Sequence, residues 1–204
     1  MNAGATTNRV YDAIKYGILS RAHRPGDRLD PALLATDLAS SVTPVRDALY
    51  LLVGEGLVST RIGDGFHLPQ LTEPELRDRY AWHADVVLLA LRDREAPAQR
   101  MSAKRIGDPS DRSMAATAIF AGIGAASRNG EHRLAIAALG DRLSAARRVE
   151  PVVLDGLNEE CRGLEEAWRN DEPVALRRLI IRYHRRRTGA AAEIVRALYR
   201  ADLP

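Results

Sequence analysis

With 204 residues the chain has room for two small domains, or for one with a large core, and its 46% hydrophobic and 28% charged residues are proportions of a soluble globular protein. No apolar run approaches the roughly 20 residues that a membrane-spanning helix needs. The single cysteine, Cys161, excludes an internal disulfide and any cysteine-based zinc cluster, and 30 Lys and Arg against 27 Asp and Glu leave a net charge of only +3. The opening residues, Met1 to Thr7, lack a basic stretch followed by an apolar one, so no secretory leader is expected and a reducing cytoplasm is the expected compartment.

In chain order, Val10, Ile14, Ile18 and Leu19 predict an amphipathic helix, with Thr7 as its cap. Arg24-Pro25-Gly26-Asp27-Arg28-Leu29 reads as a turn. A short helix follows from Pro31 to Ala39, with Leu33, Leu34 and Leu38 as its apolar residues. After a break of only Ser40-Ser41-Val42, Thr43 is placed to cap a third helix and Pro44 to open it, where a missing N–H costs nothing. Val45, Ala48, Leu49 and Leu52 then recur at helical spacing, leaving Thr43, Arg46 and Tyr50 on the opposite face. Gly54-Glu55-Gly56 ends this helix. Leu57 to Arg61 reads as a strand, Gly63-Asp64-Gly65 as a hairpin turn and Phe66-His67-Leu68 as the returning strand. Two short helices joined by a tight turn, a preceding helix and a two-stranded wing describe a winged helix-turn-helix over residues 1–68.

Pro69 to Thr72 is a linker, and Thr72 with Glu75 forms a capping-box pattern that opens a long helix. Leu76, Tyr80, His83, Val87 and Leu91 form its stripe to about Glu95. Further helices are expected at about 98–106, 110–127, 131–148, 152–169 and 173–199, with no strand signal after residue 68. Residues 73–204 are therefore expected to be an all-helical bundle of about six helices, and the whole protein mainly α.

Tyr11-Asp12-Ala13-Ile14, Arg24 to Leu29, Thr43-Pro44-Val45-Arg46-Asp47-Ala48-Leu49, and Glu55-Gly56-Leu57-Val58 followed by Gly63-Asp64-Gly65-Phe66 resemble, in order and spacing, the GntR family of bacterial transcriptional regulators. The bundle is similar in layout to the FadR-type effector domain that follows many GntR wings, through Leu71-Thr72-Glu73-Pro74-Glu75-Leu76 and Asn170-Asp171-Glu172-Pro173 with Tyr183-His184. The resemblance implies a sequence-specific DNA-binding regulator, a ligand-responsive repressor acting as a homodimer on double-stranded operator DNA, and DNA contact through Thr43, Arg46, Tyr50, Arg61, Gly63 and Gly65. It also implies a site in the bundle, where many relatives hold a metal with one Asp and three His. Here Thr117 stands for the Asp, Ala121 and Cys161 for two of the His, and only His184 remains, so no metal or other cofactor is expected. An Arg that often grips an acidic ligand is replaced by His83. The effector pocket is thus expected around His83, Phe120, Cys161 and His184, with a small apolar or neutral effector in place of a carboxylate, or no effector at all.

Two features pull against strong DNA binding. Residues 1–68 carry seven bases and seven acids, so the reading head is neutral, whereas phosphate neutralisation normally supplies much of a DNA binder's affinity. The residue before Thr43 is Val42, where the family usually has Arg. An alternative is therefore a ligand-binding or protein-interaction module with a weakened DNA head. Trp168 and Tyr183 are expected in the core, and Arg182, Arg185, Arg186 and Arg187 on a solvated helix face. The sequence contains no Gly-rich phosphate loop, metal-hydrolase motif or nucleophile elbow, so an enzyme is not expected.

Overall fold

The computed structural model describes residues 3–20, 24–61, 63–94 and 112–200. The expected helix at 98–106 lies outside them. The described residues divide into two compact units: residues up to Leu71, joined by the chain from Leu198 onward, and Thr72–Ala197.

The first unit contains α1 (Ala3–Ser20), β1 (Arg28–Leu29), α2 (Pro31–Asp37), α3 (Val42–Gly54), β2 (Ser59–Arg61) and β3 (Gly65–His67). Val10, Val45, Ala48, Leu49 and Leu52 have no exposed surface, and with Ile14, Leu29, Leu57, Val58, Phe66 and Leu68 they form one core. Burying side chains of this size contributes about 1.5–3 kcal/mol each. Tyr11 and Lys15 on α1 both bond the carboxylate of Glu55 at the end of α3, Lys15 Nζ at 2.7 Å, and this pins the outer helix to the third one.

The elements stand where the sequence places them, but several details differ. Thr7 lies inside α1, which begins four residues earlier, and so does not cap it. Ser41 is the cap position of α3, which places Thr43 in its first turn. Asp30, not anticipated, caps α2 by accepting the N–H of Ala32 at 2.7 Å. Leu33 is exposed while Ala35 is buried, because the α2 stripe runs through Ala35, with Leu34 and Leu38 flanking it. The segment read as a turn at Arg24–Leu29 also supplies a third strand. Arg28 pairs with His67 and Leu29 with Phe66, so β3 is central in an antiparallel sheet ordered β1-β3-β2. A two-residue strand carries no alternation that a sequence pattern could reveal.

The second unit is helical throughout: α4 (Glu73–Arg92), α5 (Arg112–Ala126), α6 (Gly130–Arg142), α7 (Ser144–Val153), α8 (Leu157–Arg169), α9 (Pro173–Gly189) and α10 (Ala191–Arg200). The capping box at Thr72 and Glu75 is formed. The helix expected at 131–148 breaks at Leu143 and resumes as α7, and the last expected helix breaks at Ala190. The α4 helix packs against α5, α6 and α9, and α8 against α5 and α9. Where α5 meets α6, a Cβ at Gly124 would lie 3.1 Å from the Ile136 side chain and 3.2 Å from the Arg133 backbone, a fit so close that α6 would have to give by a few tenths of an ångström. Trp168 packs partly buried against the core and Tyr183 lies within it. Among the described residues no helix is long and apolar enough to cross a membrane.

The tight turn between α2 and α3 is made by Ala39 in the left-handed region, at φ 46°. That conformation costs an L-residue about 1–2 kcal/mol, whereas glycine is free of it but loses about 0.5–1 kcal/mol through its more flexible unfolded chain. Ala39→Gly is therefore expected to stabilise the first unit by about 0.5–1 kcal/mol. Thermal unfolding of the full chain checks this, and an unchanged or lower midpoint would show that the turn is not strained.

Candidate nucleic-acid interface and bundle interior

The face of α3 opposite its buried stripe carries Thr43, Arg46, Asp47 and Tyr50, all exposed. The same helix thus holds a rigid apolar side and a free polar side, which is what a helix entering a DNA groove needs. Tyr50 has a second role: its ring meets Phe66 of β3 edge-on, with centroids 5.0 Å apart, bracing the wing against the helix. At the wing, Arg61 pairs with Gly65, and Arg61, Gly63 and Gly65 are exposed. Gly63 and Gly65 adopt φ of 75° and 81°, which the tight turn requires of them.

His67, which the sequence reading used only as a strand residue, anchors this wing. It is buried, and its Nε2 lies 3.0 Å from the Asp64 carbonyl in the turn while its Nδ1 lies 3.3 Å from the Gly26 carbonyl. The neutral charge of the head also acquires a structure. Asp27 accepts the Arg24 N–H, Asp30 caps α2, Glu55 is held by Tyr11 and Lys15, and Asp64 faces His67 at 3.0 Å. These four acids are engaged within the unit, as is Lys15, whereas Arg46 and Arg61 are exposed, together with Asp47 on the α3 face.

In the bundle, three of the four expected pocket residues come together. His83 Nδ1 lies 2.8 Å from His184 Nε2, and His184 Nδ1 lies 2.7 Å from the Ile180 carbonyl. Phe120 stands edge-on to His83 at 5.1 Å and against His184 at 5.4 Å. Cys161 shares this core, but its charged neighbours are Arg187, Glu160 and Glu150, and burial pushes its thiol up. A raised thiol is a poor nucleophile, so a small buried residue is its role.

The protonation pattern follows from the partners. A carbonyl only accepts, so His184 Nδ1 carries a proton. Burial pushes His184 down to about 3 and, with the nearby charges of Arg147 and His184, holds His83 well below the ordinary histidine range. Both rings are neutral at physiological pH. His184 Nε2 is then an acceptor, His83 Nδ1 donates to it, and His83 Nε2 is left as a bare lone pair.

Two arginines lie in the interior that the sequence reading did not place there. Arg187 was assigned to a solvated face, yet it is 1% exposed. It bonds Glu150 through Nε at 3.0 Å and Glu160 through Nη1 at 2.7 Å, while Tyr80 donates to Glu150 at 2.8 Å. Its guanidinium also lies over the Tyr183 ring, 3.3 Å from the centroid, and burial with nearby Glu150 pushes that phenol up to about 12. Arg147 is 2% exposed, and its Nη1 donates to Thr117 Oγ1 at 2.9 Å and to the Gly140 carbonyl at 3.3 Å. A signal for both existed. Arg147 and Glu150 occupy positions on the same helical stripe as Leu143, Ala146 and Leu154, and Arg187 extends the stripe of Leu176, Ile180 and Tyr183.

These contacts do not suit a divalent metal. Thr117, in the place of the family's Asp, accepts from a permanent cation, and His184 Nε2 is bonded to His83. Among the described residues no three His, Cys, Asp or Glu side chains are grouped as such a site needs.

Three helices, a tight turn and a wing with an exposed polar helix face define a winged helix-turn-helix protein. Residues 6–68 match the family model described as bacterial regulatory proteins, gntR family, so the first unit carries the gntR-type helix-turn-helix. An uncharacterized HTH-type transcriptional regulator, YdhC of Bacillus subtilis (strain 168), is 30% identical over 72 residues, 35% of this chain. The match spans about a third, 32%, of that curated relative's length. A GntR transcriptional regulator from Rhodococcus sp. RHA1 has the same fold at TM-score 0.74, with 18% identity over 95% of this chain and 99% of its own. E. coli McbR/YncC superimposes at TM-score 0.67, with 20% identity over 92% of this chain and 97% of its own.

The neutral histidines make stability depend on pH. Their folded values are depressed, so below the ordinary value of 6.5 the unfolded chain takes up protons that the folded chain refuses. Stability is then lost as pH falls below 6.5, by up to about 1.4 kcal/mol per pH unit for each ring, a loss that for His184 continues toward pH 3. Urea unfolding at pH 7 and pH 5 should show this loss, and His184→Gln should reduce it. Equal stability of the wild type at both pH values would contradict the assignment.

Proposed function

We propose that this chain is a sequence-specific DNA-binding transcriptional regulator of the FadR type within the GntR family, acting in the cytoplasm as a homodimeric, ligand-responsive repressor. The observation that carries the reading is the exposed row of Thr43, Arg46 and Tyr50 on a helix whose other side is fully buried, beside a wing presenting Arg61, Gly63 and Gly65. Arg46 is suited to the bidentate reading of a guanine edge in the major groove. The match to the gntR family model over this same unit supports it. The FadR-type assignment rests on a helical unit that follows the wing in the chain, the layout that the resemblance implies. A repressor is the simplest regulator such a head can make, because a bound operator excludes other proteins from that DNA. We further propose that the bundle works without a metal, since Arg147 and His83 already engage the groups nearest to the family's ligand positions.

Val42 favours a second reading. It is 38% exposed and apolar just before Thr43, and the net charge of residues 1–68 is zero. A protein-interaction or ligand-binding module with a weakened head would show this.

A mobility-shift titration with the promoter region of the protein's own gene, at stated salt, separates the two. Specific binding is expected for the wild type, and Arg46→Ala should cost about 1–3 kcal/mol and relax base choice at one position. Val42→Arg should tighten binding and steepen its salt dependence. Equal operator affinity for wild type and Arg46→Ala would remove Arg46 from the reading face.

One recognition helix covers only a few base pairs, so two heads held about 34 Å apart, one helical turn of DNA, are needed for a longer site. Light scattering should therefore find a homodimer at micromolar concentration. A monomer that stays monomeric with operator DNA would refute the assembly.

A further inference from the structure

The interior of the bundle presents an edge of Arg147 to no protein group. Nη1 is committed to Thr117 and Gly140, but Nε and Nη2, both buried, have no hydrogen-bond partner among the described residues. These two N–H groups form one side of the planar guanidinium. They point in parallel, the arrangement that matches two oxygens of a carboxylate or phosphate. His83 Nε2 is also buried without a partner among the described residues, and the protonation pattern leaves it an acceptor. The two groups meet along α5: Arg147 bonds Thr117, and Phe120, one turn further on, stands against the His83 ring at 5.1 Å, with the charge of Arg147 felt at both histidines. Buried groups of this kind are rare in folded proteins, and each one calls for a partner.

We propose that Arg147 and His83 form a metal-free binding site for a small oxyanion that also carries a hydrogen-bond donor. Two oxygens of the ligand accept from Arg147 Nε and Nη2, and its hydroxyl donates to His83 Nε2. A 2-hydroxycarboxylate has this chemistry, and so does singly protonated phosphate. The expectation of an apolar or neutral effector rested on the loss of a cationic centre, and Arg147 supplies that centre from a different helix. This proposal rests on the ligand-responsive reading of the bundle and names the ligand class for it.

The test uses the full chain and two matched pairs of probes: glycolate against acetate, and phosphate at about pH 8, where the singly protonated dianion predominates, against sulfate. Within each pair the oxyanion is retained and the hydroxyl donor is removed. Titration followed by calorimetry and by melting temperature should show saturable binding of glycolate, of phosphate or of both. The donor-less partner should bind about tenfold or more weakly, the effect of losing a hydrogen bond to a buried group. Arg147→Lys, which keeps the charge but loses the fork, should lose saturable binding at unchanged helical content by circular dichroism. His83→Phe, which keeps the ring against Phe120, should retain oxyanion binding but abolish the preference within each pair.

Binding of glycolate alone would identify a hydroxy acid, and binding of phosphate alone a phosphoryl ligand. No saturable binding of any of the four probes by the wild type would overturn the proposal, as would equal binding by a folded Arg147→Lys protein. If Arg147→Lys fails to fold, the His83→Phe comparison decides: an unchanged preference within each pair refutes the site. Operator binding is measured separately without probe. Intact operator binding with no oxyanion binding sinks this site alone, whereas oxyanion binding without operator binding sinks the DNA-binding reading.

Discussion

The helical unit is organised by a charge that cannot be left alone. Arg187, at 1% exposure, lies between Glu150 of α7 and Glu160 of α8 and over the Tyr183 ring, and Tyr80 of α4 completes the shell around Glu150. Breaking such a buried pair by removing one partner costs about 3–5 kcal/mol, because the other charge stays desolvated. Hydrophobic contacts would let α4, α7, α8 and α9 slide relative to one another at little cost. A guanidinium with two carboxylates fixes their register, since the N–H and oxygen positions must coincide.

That register determines what the interior can bind. With α9 fixed by Arg187, His184, three residues earlier in the same helix, meets the Ile180 carbonyl and His83, and the order of proton donors is forced. With α7 fixed by Glu150, Arg147 reaches Thr117 on α5 and Gly140 on α6. An arginine thus crosses the space between α5, α6 and α7. A change of cation from metal to side chain alters how an anion is held, from coordination to a hydrogen-bonded fork.

In the DNA-reading unit the constraint is apolar. Four side chains of α3 with no exposure fix which face is free, and Tyr50 on Phe66 relates that face to the wing. The neutral sum of charges in residues 1–68 suggested a weak head. The fold divides the charges by position: Asp27, Asp30, Glu55 and Asp64 serve as caps and anchors, and Arg46 and Arg61 remain outside with Asp12, Asp37 and Asp47. Affinity depends on charges that face phosphate, which a composition cannot report.

The sequence by itself determined the helical and hairpin elements of the first unit, because apolar spacing and paired glycines are local signals with local causes, as is the Thr72 capping box that opens the second. It also determined that the second unit is helical. The tertiary structure alone decided the short strand β1, the breaks at Leu143 and Ala190, and the exposure of Leu33. It alone decided that Arg187 and Arg147 are interior and not solvated. The physical reason is that a charged residue on an apolar stripe is read as an interruption until its partner is known, and Glu150 and Thr117 stand 37 and 30 residues away in the chain.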